Sequence, residues 1–401
     1  MSRSFLLVLV AALALMDGTA SAQMPHDPGG ARNCMEPTLA CATTATPTFG
    51  PDGALWLVWA AGGRVSVARS ADLGHTFSSR VAVNPQPVRL DTGPDSRPKI
   101  VVDDGGRIYV AYATFKDDDF NGEVFFSRST DGGASFASPQ PITPDTASQR
   151  FEAIEVDRHG KLFASWIDKR DAFAARREGK SCAGAALAFA WSDDAGVTFS
   201  SARIARDNSC ECCRLGVAFA GDGRPVVLFR NVFDDHIRDH AITTFADPAT
   251  PGPIYRVSID NWQIDACPHH GPSLAVAPDG TYHVAWFTGA SARPGVFYAR
   301  SVDGGRSFSA TKALADKGNN PYVLAVHGDV WLAWKEFDGK RTNVETMVSH
   351  DNGMTWSEPQ VVATTGERSD HPLLVSDGHR PFLSWLTRQE GYRLMPLEHP
   401  L

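Results

Sequence analysis

The chain has 401 residues, of which 43% are hydrophobic and 21% charged, and its formal net charge is -8 at pH 7. This composition is that of a globular protein with a large core, and the acidic balance argues against nucleic acid as a partner.

The first 22 residues have the pattern of a secretory signal. Arg3 precedes an apolar run from Phe5 to Met16, and Ala20-Ser21-Ala22 offers a small-residue cleavage site. The apolar run is too short to span a bilayer, and no other stretch qualifies, so we predict no membrane span. The sequence therefore predicts a secreted or periplasmic protein with a signal peptide at 1–22, an N-terminal segment at 23–45 and one domain at 46–401.

A pair of apolar strands joined by an Asp-Gly-like turn recurs seven times in the predicted domain. The turns centre on residues 52, 104, 159, 222, 279, 328 and 377, so the repeat is about 50 residues long. That length holds four short strands, which is one blade of a propeller. The last repeat has room for only three strands, and we expect segment 23–45 to supply the missing one and close the ring.

A second motif, Ser-x-Asp-x-Gly-x-Ser/Thr-aromatic, recurs five times and predicts a tight turn. The Asp can accept hydrogen bonds from backbone N–H groups, the Gly supplies a positive φ, and the aromatic ring enters the apolar layer below. The copies are Ser70–Phe77, Ser129–Phe136, Ser192–Phe199, Ser301–Phe308 and Ser349–Trp356.

This octapeptide is the Asp box, and the chain resembles the BNR/Asp-box repeat proteins of the sialidase superfamily over nearly all of its predicted mature length. The resemblance implies an all-β fold, a β-propeller. Combined with the repeat count, it predicts seven blades of four antiparallel strands. Six blades is the alternative, because sialidases themselves have six.

The resemblance also implies a site for an anionic ligand, a small molecule or a glycan. Sialidases clamp a carboxylate with three arginines, two of them in an Arg-x7-Arg segment just after an Asp-Gly-Arg turn. Here the turn is Asp222–Arg224 and the pair is Arg230 and Arg238. Arg97 is the nearest likeness to the third arginine, and Arg214 begins the strand that leads to the pair.

Catalytic residues do not emerge from the sequence. Exo-sialidase or another glycoside hydrolase activity needs a positioned acid and a nucleophile or base, and no such pair stands out. Glu152 and Glu155 are acidic candidates, but they are three apart in a strand of period two, so at most one should face the centre.

Cysteines and histidines cluster in the loops between predicted blades. One group lies before the turn at Asp222 and the other before the turn at Asp279, and the two groups align at the same distance from their turns. We therefore expect them side by side at the mouth of the channel. The residues are Cys210, Cys212, Cys213, Cys267, His269 and His270.

Three interpretations of these residues stay open. Disulfides are the default in an exported protein, and Cys34 with Cys41 is an easy local pair, although seven cysteines leave one unpaired. Thiolates with imidazoles also suit copper or zinc, and a redox dithiol is the third option. The alternative function is therefore a periplasmic metal-binding or thiol-redox protein, and a non-catalytic interaction scaffold is a further one.

Overall fold

The computed structural model describes residues 34, 36–145, 147–180 and 184–398. This part of the chain is all-β, as predicted, with one α-helix (Arg170–Arg177) and short 3-10 helices at Leu39–Cys41 and Asp234–His236. The α-helix has 8 residues, so no membrane-spanning helix is found in the described ranges. The predicted signal peptide lies outside them.

The strands follow one another as antiparallel meanders. The first three meanders are β1 (Ala45–Phe49), β2 (Leu55–Ala61), β3 (Arg64–Ser70), β4 (Val81–Ala82); β5 (Lys99–Val102), β6 (Ile108–Phe115), β7 (Gly122–Ser129), β8 (Gln140–Pro141); and β9 (Gln149–Val156), β10 (Leu162–Asp168), β11 (Ala185–Ser192), β12 (Arg203–Ser209).

The remaining meanders repeat this plan, and the last of them has three strands. They are β13 (Gly216–Phe219), β14 (Pro225–Phe233), β15 (Ile237–Asp247), β16 (Thr250–Arg256); β17 (Ser273–Val276), β18 (Tyr282–Thr288), β19 (Gly295–Ser301), β20 (Lys312–Ala315); β21 (Gly318–Val326), β22 (Asp329–Phe337), β23 (Thr342–Ser349), β24 (Gln360–Thr365); and β25 (Leu373–Ser376), β26 (Pro381–Thr387), β27 (Gly391–Pro396).

Hydrogen bonding groups these strands into six sheets. The third and fourth meanders share one sheet of 8 strands, because the single pair Ser209–Asn231 links β12 to β14. The first strands of successive meanders contact one another along the chain, and β25 contacts β1. The last meander therefore lies against the first, where Leu386 packs with Leu57 and Trp59.

Segment 23–45 is described only in part, at residue 34 and at 36–45. Residues 36–44 contain no strand; they hold the 3-10 helix, and Leu39 packs near Tyr392 of β27. A disulfide joins Cys34 to Cys41, as predicted. The rest of the segment lies outside the described residues, so ring closure by an N-terminal strand stays a prediction.

The cores form where adjacent meanders face each other. Trp166 of β10, for example, is fully buried in a cluster with Tyr109 and Ala111 of β6. Equivalent second strands bury Trp286, Trp334 and Trp385. The indole at the end of the second strand is thus a repeated core element, and apolar burial of this kind is the main favourable term in folding.

The Asp boxes form the predicted turns. Asp131 accepts hydrogen bonds from the hydroxyls of Ser129 and Ser135 at 2.7 and 2.6 Å and from the Ser135 amide at 3.0 Å. Gly133 has a φ of 81°, and a Cβ there would lie 2.6 Å from the Trp56 ring, so the turn requires glycine. The same aspartate bonds recur in the other copies, at Asp72, Asp194, Asp303 and Asp351.

We expect Asp131→Ala to lower the thermal midpoint by a few degrees, because three donors lose their acceptor. The Ser135 hydroxyl, followed by Ser129 and the Ser135 amide, lowers the pKa of Asp131 to about 2. A depressed carboxyl pKa stabilises the fold above the unfolded value of 3.8, and this contribution is lost as the pH falls to about 2. The difference between wild type and variant should therefore shrink over that range in a calorimetric series. Asp104→Ala, at an exposed turn aspartate, is the matched control; an equal effect there would contradict the role of the Asp box.

Candidate functional site

Two of the predicted site residues lie just before the first strands of their meanders, which we call the inner strands. Arg97 precedes β5 and Arg214 precedes β13, and His371, which was not predicted, lies in the same position before β25. Because the inner strands contact one another, these segments of distant sequence come together at the centre of the fold.

Arg97 and Asp370 form a buried bidentate ion pair. Arg97 Nη2 donates to Asp370 Oδ1 at 2.5 Å and Arg97 Nη1 to Asp370 Oδ2 at 2.8 Å, and both side chains are almost inaccessible to solvent. The Ala45 amide donates to the same carboxylate at 3.1 Å. This pair therefore connects the first, second and seventh meanders.

Arg214 makes the next set of connections. Its Nη1 donates to Asp95 Oδ1 at 2.7 Å and lies 3.2 Å from His371 Nδ1, and its Nη2 donates to the Pro321 carbonyl at 3.0 Å. Residues from the second, fourth, sixth and seventh meanders thus meet at one guanidinium.

Lys99 and Glu152 lie beside these pairs. Burial lowers the pKa of Lys99 to about 8, against the opposing charge of Glu152. Burial likewise raises the pKa of Glu152 to about 7, against the opposing charge of Lys99. Glu152 is 1% exposed, and neither of its carboxyl oxygens has a hydrogen-bond partner among the described residues. A buried carboxyl without a partner is costly, so it marks a place where a further polar group would be accommodated.

We call the whole group the central charged cluster. Its other lysine is the half-buried Lys335, and burial lowers the pKa of this lysine to about 8. Polar atoms of Asp95, Gln149 and His240 in this region are also buried without a partner in the described part of the chain. The cluster comprises four cationic side chains and three carboxyls, namely Arg97, Lys99, Arg214, Lys335, Asp95, Glu152 and Asp370.

Arg230 and Arg238 donate mainly to backbone carbonyls. Arg230 donates to the carbonyls of Arg238, His270 and Phe287 at 2.8 to 3.0 Å and lies over the Trp262 ring. Arg238 donates to the Ile264 carbonyl at 2.9 Å and to Cys210 Sγ at 3.2 Å. The four predicted arginines are therefore divided between the central charged cluster and a neighbouring group of thiols.

The neighbouring group contains five of the six predicted cysteine and histidine ligands, and we call it the thiol cluster. The Cys210 sulfur lies 3.7 Å from the sulfurs of Cys212 and Cys213. Cys212 is also in a second set, in which its sulfur, the Cys267 sulfur and a His269 nitrogen all lie within 4.8 Å of one another. Cys210, Cys212 and Cys213 are buried, whereas Cys267 is exposed.

The thiols of this cluster differ in acidity. Hydrogen bonds from Cys212 and Cys213, and then the charges of Arg230 and Arg238, hold the pKa of Cys210 well below its usual range. A hydrogen bond from Cys212 lowers the pKa of Cys267. Burial raises the pKa of Cys212 and of Cys213. The cluster thus combines two thiols whose pKa is lowered with two whose pKa is raised.

The sixth predicted ligand, His270, lies apart from the thiols. Its ring contacts that of Phe287, with centroids 4.2 Å apart, and its Nδ1 lies 3.4 Å from the Asn320 amide. His269, by contrast, belongs to the set with Cys212 and Cys267, and its backbone has a left-handed φ of 53°.

Within the described residues, the default expectation of disulfides is not met in the thiol cluster. Cys210, Cys212, Cys213 and Cys267 form no disulfide with one another or with another described cysteine, and sulfurs 3.7 Å apart are not bonded. The only disulfide among the described residues is Cys34–Cys41. Cys182 lies outside those residues.

No protein-family model matches the chain, and a search of curated proteins finds no match either. Solved structures do match. They include a protein of unknown function from Dyadobacter fermentans, with a TM-score of 0.53, 15% identity and coverage of 77% of this chain and 95% of the other. A Hadza microbial sialidase has a TM-score of 0.51, 14% identity and coverage of 86% and 76%. The fold is that of a sialidase-like β-propeller. A polysaccharide lyase, an ulvan lyase bound to GlcA(1-4)Rha3S, matches this propeller with a TM-score of 0.54, 9% identity and coverage of 88% and 93%.

Sequence reasoning missed several residues of the propeller's central charged cluster. Lys99 lies two residues after Arg97. The sequence feature that could have pointed to it is a lysine at the start of an apolar strand. Asp370 and Lys335 carry no motif; the one signal for Lys335 is that it directly follows the apolar, buried run Val330–Trp334 of β22. At these identities the structural matches establish the fold, so the site's chemistry has to come from the residues themselves.

Proposed function

We propose that the seven meanders are the blades of a seven-bladed propeller and that the protein binds an anionic saccharide at the central charged cluster. The observation that carries this proposal is the excess of cationic over acidic side chains at the meeting point of the inner strands. Burial opposes the charge on two of these cations, and a bound anion would offset that cost.

The cluster offers different groups for different parts of a sugar. Arg97 and Arg214 are held by Asp370 and Asp95, so they contribute positive potential and a rigid frame. Lys99 and Lys335 are half-buried, with ammonium groups that suit a carboxylate or sulfate as point charges. The unpartnered oxygens of Glu152 are acceptors for sugar hydroxyls.

The matched structures support a saccharide as the anion. One is a sialidase and another is an ulvan lyase bound to GlcA(1-4)Rha3S, a ligand that carries a uronate and a sulfate. Their TM-scores of 0.51 and 0.54 concern the fold. The proposal for this chain therefore combines the carbohydrate ligands of these matches with the excess of cationic side chains in its own central charged cluster.

Cleavage of the saccharide is the second candidate function. Glu152 and Lys99 have pKa values of about 7 and about 8, which is the range in which a side chain can serve as a general acid or base near neutral pH. This pair is our candidate for proton transfer.

We also infer that the protein is exported, on the basis of the signal pattern at residues 1–22.

The test is a calorimetric titration with sialyllactose and with a sulfated uronate oligosaccharide, each compared with its neutral counterpart. We expect binding of one anionic ligand, and at least about a tenfold loss of affinity in Lys99→Met and in Lys335→Met, since each removes one charge from the site. Lys161→Met, at a lysine paired with Asp193 at the turn before β10, should bind as the wild type does. Equal binding of neutral and anionic sugars, or equal losses in all three variants, would contradict the proposal.

A further inference from the structure

The thiol cluster is not used by the proposed saccharide site. Its sulfurs and imidazole come from two successive loops, one between β12 and β13 and the other between β16 and β17. We propose that it binds a thiophilic metal ion of closed electron shell, Cu(I) or Zn(II).

The spacing of the sulfurs is the first argument. Two ligand sulfurs, each about 2.3 Å from a tetrahedral ion, are separated by about 3.8 Å. The Cys210 sulfur lies 3.7 Å from the sulfurs of both Cys212 and Cys213. A disulfide would require about 2.05 Å instead. The free thiols therefore already stand at the separation of ligands around one ion.

The chemistry of the ligands is the second argument. Thiolate and imidazole ligands together favour Cu(I) and Zn(II) over the hard cations, which prefer carboxylates and carbonyls. Cys212 belongs both to the set with Cys210 and Cys213 and to the set with Cys267 and His269. Each set offers three ligand atoms within 4.8 Å of one another, so an ion bound to Cys212 can take its other ligands from either loop.

Arg238 and Cys267 have further roles at this site, as a donor to a ligand sulfur and as the exposed side of the cluster. Arg238 donates from Nη1 to Cys210 Sγ at 3.2 Å, while its Nε is fixed on the Ile264 carbonyl at 2.9 Å. A donor held in this way orients a ligand sulfur and offsets the negative charge of a metal–thiolate group. Cys267 is exposed and the other three thiols are buried, so an ion can enter from the Cys267 side.

The experiment uses the whole chain, reduced, freed of metal and kept anaerobic. Zn(II) and Cu(I) are titrated separately against a chromophoric chelator of known affinity. We expect one equivalent of one of these ions to bind, to raise the thermal midpoint and to protect the cluster thiols from a thiol reagent. The ion that competes better identifies the metal.

Variants then test the ligand set. Cys267→Ser and His269→Gln should each weaken binding by at least about tenfold, and Arg238→Gln by about 10- to 100-fold as a positioning residue. His270→Gln is the matched control, because it alters the adjacent imidazole, and its metal affinity should equal that of the wild type. Cys267 is exposed, so its variant remains informative even if replacing a buried cysteine prevents folding.

Two results would overturn the proposal. One is the absence of stoichiometric binding while the thiols react freely or form a reversible disulfide, which would indicate a structural or redox group. The other is binding that survives both Cys267→Ser and His269→Gln. Because the readouts are metal affinity and thiol protection, they are independent of any outcome with saccharides.

Discussion

Asp370→Ala should lower the free energy of unfolding by about 3–5 kcal/mol, the usual cost of removing one partner from a buried ion pair. The carboxylate accepts two bonds from Arg97, at 2.5 and 2.8 Å, and one from the Ala45 amide, at 3.1 Å. Without it, the guanidinium stays buried with no opposing charge at the contact between the first and last meanders. Urea denaturation followed by tryptophan fluorescence measures the change.

Two further variants show whether burial is the cause. Asp118→Ala removes an ion pair with Arg89 at the surface, where the Asp118 side chain is 98% exposed, and should change stability by less than about 1 kcal/mol. Arg97→Met combined with Asp370→Leu removes both buried charges and should recover part of the loss. If Asp370→Ala unfolds at the same urea concentration as Asp118→Ala, the pair does not hold the meanders together.

The repeated architecture was predictable because its determinants are local. In each Asp box the aspartate bonds to residues two and four positions away, so the sequence motif contains the whole interaction. The Asp-Gly turns are equally local. The two kinds of turn together predict the order of the strands in each meander. The number of hydrogen-bonded sheets was not predictable, because it depends on the single pair Ser209–Asn231 between two meanders.

The charge pairing at the centre could not be predicted, since it depends on distant contacts. Arg97 and Asp370 are 273 residues apart, and no motif links them. Arg230 resembles an arginine of the carboxylate clamp, but its guanidinium donates to three backbone carbonyls. Two of these acceptors, on His270 and Phe287, depend on how β14 packs against the next meander. That arginine's role in ligand binding stays a prediction.

Local irregularities limited the prediction of side-chain direction. The pairing of β9 with β10 shifts register between Ser165 and Ile167, and Phe151 has a φ of 57°. This bulge interrupts the alternation by which Glu152 and Glu155 were expected to point opposite ways. Similarly, His269 lies in the thiol cluster and His270 does not, although the two were predicted to act together.

The affinity for an anionic saccharide should fall by at least about tenfold between pH 6 and pH 9. Burial raises the pKa of Glu152 to about 7, so the site gains a negative charge above that pH. Burial lowers the pKa of Lys99 and of Lys335 to about 8, so the site loses positive charge above pH 8. Both changes make the site more negative, so the affinity for an anion falls in each step as the pH rises. The pKa values of Glu152, Lys99 and Lys335 also respond to other charged groups of the region, namely Asp91, Asp95, Arg97, Arg150, Arg214 and Asp370.

Isothermal titrations with a sulfated ligand separate the two steps, because a sulfate keeps its charge throughout this range while the protein titrates. In the double variant Lys99→Met/Lys335→Met the affinity is lower at pH 6, and the decline caused by the lysines should disappear. The remaining decline, caused by ionisation of Glu152, should move to higher pH, because the charge of Lys99 no longer lowers the pKa of Glu152. Glu152→Gln should remove the decline that begins near pH 7, and Lys99 should lose its proton at a lower pH, because Glu152 is the strongest charge that keeps Lys99 protonated. An affinity that is constant or rises from pH 6 to pH 9 would mean that the anion does not bind beside these groups, since a bound sulfate cannot approach three titrating side chains without responding to their charge.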